Sequence, residues 1–170
     1  MAIYYSTGGD SSTRIIGSKT ATNSTRTSVP YSYSSAVLLW YPLAYSKQSS
    51  TSELHVSAHI IGHGKYCYPH YGTWIQATVS GNSYQKYVGQ NYLIGGYHSG
   101  GSLIWFVNQI WTPSDLGNNT GSIEFRMYWK SANNSQCRPF GIWNPNSSDD
   151  NRAMGQTGST FTVTEREIDS

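Results

Sequence analysis

Glu53-Leu54-His55-Val56-Ser57-Ala58-His59-Ile60-Ile61-Gly62-His63 is the stretch that decides how this chain folds. Its alternation puts Leu54, Val56, Ala58 and Ile60 on one face of an extended strand, and His55, Ser57, His59, Ile61 and His63 on the other. The first face is core. The second lacks the Lys, Glu and Thr of an ordinary wet face and forms a moderately polar stripe of low charge, suited to a subunit contact or a metal. Histidines four residues apart on one strand lie about 13 Å from each other, so no two of them share an ion within a single chain. Only symmetry copies would complete such a site. A polar subunit interface is therefore the preferred reading, ahead of a solvent face or an axial metal, and no cofactor or metal is expected.

Outward from this stripe the texture is that of an all-β protein: short apolar runs, 17 glycines, and no helical periodicity. Strands are expected near 29–45 (in two pieces), 54–62, 73–79, 84–94, 102–111, 121–131, 138–143 and 158–166. Ser80-Gly81-Asn82-Ser83 and Asn118-Asn119-Thr120-Gly121 read as hairpin loops between antiparallel neighbours. Leu103-Ile104-Trp105-Phe106-Val107 is apolar on both faces and calls for two covers, the core on one side and another element or subunit on the other. Ile123, Phe125, Met127 and Trp129 alternate with Glu124, Arg126, Tyr128 and Lys130, so that strand has one wet face. About eight antiparallel strands fit a two-sheet jelly-roll sandwich, and no Cys-Trp-Cys framework supports an immunoglobulin arrangement.

Residues 1–28 are rich in Ser, Thr and Gly and do not form a core of their own. They read as an extended attachment arm, with Tyr4, Tyr5, Ile15 and Ile16 as its anchor points, ahead of a sandwich domain over 29–170.

Composition excludes several classes of function. The 170 residues carry 12% charged and 14% aromatic side chains, including 14 tyrosines, a balance that favours contact surfaces. A net charge of +2, with basic residues scattered from Arg14 to Arg166, does not suit nucleic acid. No apolar run has the length of a membrane span, and Met1 to Ser6 lacks the regions of a signal peptide, so neither membrane insertion nor export is expected. Cys67 and Cys137 allow one disulfide if the fold brings them together; free buried thiols are the blander reading. Cys67-Tyr68-Pro69-His70 has ligand-like spacing but no second pair to complete a zinc site. No nucleophile elbow, zinc-protease helix or phosphate loop is present, and no enzymatic activity is expected.

Recognition is the better class. Tyr66, Tyr68, His70, Tyr71 and Trp74 cluster beside Gly72, and Trp143 and Asn144 lie near Asn146, Asp149 and Arg152. Aromatic faces stack on sugar rings and amides bond to hydroxyls, which makes Tyr68, His70, Tyr71, Trp143 and Asn144 the candidate ligand-binding residues. The alternative is that these rings merely cover core edges.

Two further motifs carry a resemblance. Lys47-Gln48-Ser49-Ser50-Thr51-Ser52-Glu53-Leu54-His55-Val56 is a Ser-rich turn leading into an apolar strand, and Ser159-Thr160-Phe161-Thr162-Val163-Thr164-Glu165 lies close to the last residue. With the alternating strand Gly121 to Trp129, they resemble a domain of phage virion proteins, especially those of phages of cyanobacteria, over roughly residues 30 to 168. Departures are Glu53, where that family has a basic residue, and Asn91 to Trp111, which has no close counterpart. The resemblance implies a virion location and a homotrimeric jelly roll similar to the tumour necrosis factor and complement-head folds. The inner sheets of such trimers pack about a three-fold axis, which would bring each histidine of the stripe near two copies of itself; protonation would then loosen the trimer.

The expectation is a non-enzymatic phage structural protein, a trimeric tail-fibre or receptor-binding knob. Its partners would be other virion proteins, met through the arm, and a host surface glycan or protein. The alternatives are a capsid decoration (cement) protein and a free carbohydrate-binding lectin. A secreted necrosis-factor-type ligand is disfavoured by the missing signal or anchor.

Overall fold

The computed structural model describes residues 13–24, 27–28, 37–65, 71–90, 101–131, 138–143 and 158–168. Among the described residues ten strands follow in chain order: β1 (Thr13–Asn23), β2 (Thr27–Ser28), β3 (Val37–Lys47), β4 (Glu53–Lys65), β5 (Tyr71–Val79), β6 (Asn82–Gln90), β7 (Gly101–Trp111), β8 (Gly121–Ser131), β9 (Arg138–Trp143) and β10 (Ser159–Ile168). One 3-10 turn, Ser114–Leu116, precedes β8.

Pairing is antiparallel and nested. β5 pairs with β6, β4 with β7, β3 with β8 and β1 with β10, as in one long hairpin folded back on itself. Rolling that hairpin yields two sheets, with strand orders β1-β10-β4-β7 and β3-β8-β5-β6. This is the jelly-roll sandwich expected from the sequence. One edge of β4 meets β10 from Glu53 to His59 and then changes partner to β9 beyond Gly62; β2 pairs with β9 and extends the first sheet there.

The core lies where the inward faces meet. Leu54, Val56, Ala58 and Ile60 of β4 oppose Ile75, Ala77 and Val79 of β5 and Ile123, Phe125 and Met127 of β8, all buried. Trp111 of β7 meets Phe125 edge-on at 5.8 Å, so one aromatic pair joins the sheets. Each large side chain removed from water in this way contributes roughly 1.5–3 kcal/mol. The outward partners on β8, Glu124, Arg126 and Tyr128, remain half-exposed, so the expected wet face is present.

Local chemistry makes the turns. Ser80 and Gly81, at φ 50° and 82°, form a two-residue hairpin with Val79 opposite Asn82, because loops this tight need positive φ at both central positions. The second expected hairpin does not form. Residues 112–120 carry the chain from β7 in one sheet to β8 in the other, with Gly117 and Asn118 in the left-handed region. Asp115 holds this crossing. Its carboxylate accepts bonds from the Thr112 amide and hydroxyl, both at 2.7 Å, and from the Lys86 ammonium of β6. Lys86 also donates to the Ile110 carbonyl at 2.7 Å. Burial alone would raise the Asp115 pKa, but the bonds from Lys86 and Thr112 outweigh it and hold the carboxyl below its usual range.

The arm expectation is corrected as well. Thr13–Asn23 is not a separate arm but the edge strand β1, paired with β10 along its length, so the boundary at residue 28 does not stand. Its Ser and Thr side chains bury little beyond Ala21; backbone hydrogen bonding to a finished sheet orders it. Ile15 and Ile16 belong to this strand, Ile15 being 60% exposed, whereas Tyr4 and Tyr5 lie outside the described residues.

Candidate functional site

The outward face of the β1-β10-β4-β7 sheet is built in cross-strand rows. Thr22, Thr160, His59 and Phe106 form the first; Thr20, Thr162, Ser57 and Asn108 the second; Ser18, Thr164, His55 and Ile110 the third. These twelve side chains contain no carboxylate, ammonium or guanidinium. Charge begins only at the next row, where Arg166 stands opposite Glu53.

Hydroxyl groups tie the β1 half of this face together. Thr20 and Thr162 hydroxyls are 2.9 Å apart, and Ser18 reaches the Thr164 hydroxyl at 3.2 Å. On the other half, the His59 imidazole stacks on the Phe106 ring at 4.7 Å with 8° between planes. His55 Nε2 lies 3.5 Å from the Glu53 carboxylate. His55, Ser57 and His59 are half-buried, yet Phe106 is 70% and Ile110 49% exposed beside them. Within the β7 apolar run Val107 is buried on the core side, whereas Phe106 is open on the outer face of the single chain, where a subunit cover would lie.

Backbone register continues the stripe to Ile61, opposite Ile104, and to His63, opposite Ser102 and Ile142. Tyr71 opens β5 and Trp143 closes β9, so these two candidate ligand residues belong to different sheets. Tyr68, His70 and Asn144 lie outside the described residues, as do Cys67 and Cys137. Among the described residues no group of three or more His, Cys, Asp and Glu is placed to hold a metal ion, and no helix is long and apolar enough to cross a membrane.

A second polar centre, invisible in the sequence pattern, supports this sheet from inside. Glu165 of β10 points inward and is fully buried. Its carboxylate accepts bonds from the Tyr45 hydroxyl at 2.9 Å, the Gln48 and Ser49 amides at 3.0 Å and the Ser52 hydroxyl. Burial would raise its pKa, yet the donors from Ser52, Ser49, Gln48 and Tyr45 prevail and lower it. The Tyr45 hydroxyl, desolvated and bonded to that anion, is pushed far above its ordinary value. Lys47, also buried, is lowered by desolvation against the pull of Glu165. With four donors on its two oxygens and no route to solvent, the carboxylate is architectural: it pins the 48–52 turn that launches β4 and its histidines.

No family model matches the chain, and no curated protein matches it. Among solved structures it is similar to "Structure of infectious bursal disease virus Gx strain", with a TM-score of 0.52 and 13% identity over 92% of this chain. "Crystal structure of infectious bursal disease virus VP2 subviral particle" gives a TM-score of 0.52 at 12% identity over the same share. The chain spans about a third of the length of each, 32%. At such identity the likeness is one of fold.

Proposed function

We propose that this chain is a non-enzymatic structural domain of a phage particle, a homotrimeric tail-fibre or receptor-binding knob joined through the outer face of the β1-β10-β4-β7 sheet. The observation that carries the reading is the pair Phe106 and Ile110, large, apolar and exposed, set against His59 and His55 in three rows without formal charge. Interface centres are depleted in charge and enriched in aromatic residues, and a sheet face exposed to water alone gains nothing from either. Attachment to the particle falls to the segment ahead of Thr13, since β1 is committed to the sheet. A second reading, capsid decoration, is favoured by the fold likeness to a virus particle and a VP2 subviral particle.

Sedimentation velocity on the full chain tests the assembly. A trimer at micromolar concentration is expected, reduced to a folded monomer by Phe106→Glu. A wild-type monomer would sink the trimeric reading. Localisation of the protein on particles by immuno-electron microscopy, at the tail tip or over the capsid, separates knob from decoration protein.

A further inference from the structure

The opposite outer face, on the β3-β8-β5-β6 sheet, carries a different surface. Leu38, Tyr128, Trp74 and Tyr87 stand in one cross-strand row. Trp74 and Tyr128 lie 5.7 Å apart with planes within 17°, while Tyr87, 6.0 Å from Trp74, is tilted by 50° and 73% exposed. The next row is Arg126, Gln76 and Gln85. Gln85 donates to the Gln76 amide oxygen at 3.2 Å, and the Arg126 guanidinium is neutralised by Glu124 at 2.6 Å.

We infer that this row is a carbohydrate-binding platform for a neutral glycan. Aromatic faces pack against the C–H faces of pyranose rings, and amide groups beside them offer both donors and acceptors to hydroxyls. Among the described side chains of these rows the guanidinium of Arg126 is neutralised by Glu124, which favours a neutral sugar over a sialylated or phosphorylated one. Three rings on adjacent strands about 4.8 Å apart make a strip of oligosaccharide width. That strip is far smaller than the ~800 Å² per partner of a stable protein interface. The platform lies on the sheet opposite the histidine face and stands whether or not the chain forms trimers.

The test is affinity electrophoresis of the full chain through gels containing neutral glucan, galactan or mannan, followed by calorimetry with the matching trisaccharide. Retardation by at least one neutral polysaccharide is expected, with affinity falling at least tenfold in Tyr87→Ala and Gln85→Ala. Tyr87 and Gln85 are exposed, so both variants keep the fold, which circular dichroism verifies. Three outcomes overturn the inference: no retardation in any neutral gel, binding that Tyr87→Ala leaves intact, or loss of self-association as the sole effect of Tyr87→Ala.

Discussion

Glu165 accepts the backbone amide of Ser49 at 3.0 Å across 116 positions of sequence, and this bond closes one end of the sandwich. The Ser-rich turn and the Thr-Val-Thr-Glu strand, two motifs far apart in the chain, are therefore halves of one buried site. A turn of small hydroxylated residues leaves amides and hydroxyls free to converge on an anion, and the final strand delivers that anion from the inner face of the sheet.

Replacing Glu165 by Gln should cost about 2–4 kcal/mol, because an amide nitrogen would face buried donors. The pH dependence has a definite sign. Since the folded pKa is depressed, the stabilisation is fully present above the unfolded value of about 4.3 and is lost as pH falls through the lower folded value. Urea unfolding from pH 7 downward should show that acid limb in the wild type and a flatter one in Glu165→Gln; parallel limbs would refute the assignment.

Gly17 sits opposite Glu165 at a register shift in β1, and a Cβ there would collide with the Tyr45 hydroxyl. Gly17→Ala should destabilise by about 1–3 kcal/mol by breaking the Tyr45 bond to Glu165. Tyr45→Phe removes the same bond, so the double variant should cost clearly less than the sum, as read by a thermodynamic cycle.

Deleting residues 1–28 removes β1 and leaves the β10 edge unpaired. Such an edge is a template for pairing with other chains. The truncated protein should lose several kcal/mol of the roughly 5–15 that a domain has, and should aggregate on gel filtration. A soluble truncation with the parent melting temperature would show that β1 is dispensable.

Asp115→Asn should loosen the crossing between sheets by about 1–3 kcal/mol, since Lys86 and Thr112 lose a charged acceptor. Hydrogen exchange should rise first at Asp115 to Asn119, whose amides bond back to Thr112, Pro113, Ser114 and Leu116. Uniform loss of protection across the domain would instead mark Asp115 as a global determinant.

Burial periodicity made most of the sandwich legible. β4, β5, β8 and β10 each have a continuous inner stripe, and that stripe both identifies the strand and orients it. β1 escaped because an edge strand of Ser and Thr with one packed alanine has no stripe; its order comes from backbone bonds to β10, which composition does not encode. Asn118-Asn119-Thr120-Gly121 reads as a hairpin loop but ends the crossing between sheets, because glycine and asparagine serve any sharp reversal, whichever sheet receives the next strand.

From its residues alone this protein was an all-β sandwich with a histidine-bearing strand kept apart from ordinary solvent faces, because two-residue alternation is written directly into the chain. Pairing across the fold decided the rest. Phe106 meets His59 only through the pairing of the distant strands β4 and β7, and Glu165 meets Tyr45 only once the nested hairpin has rolled. Register between distant strands is set by the sum of many contacts and by no local signal.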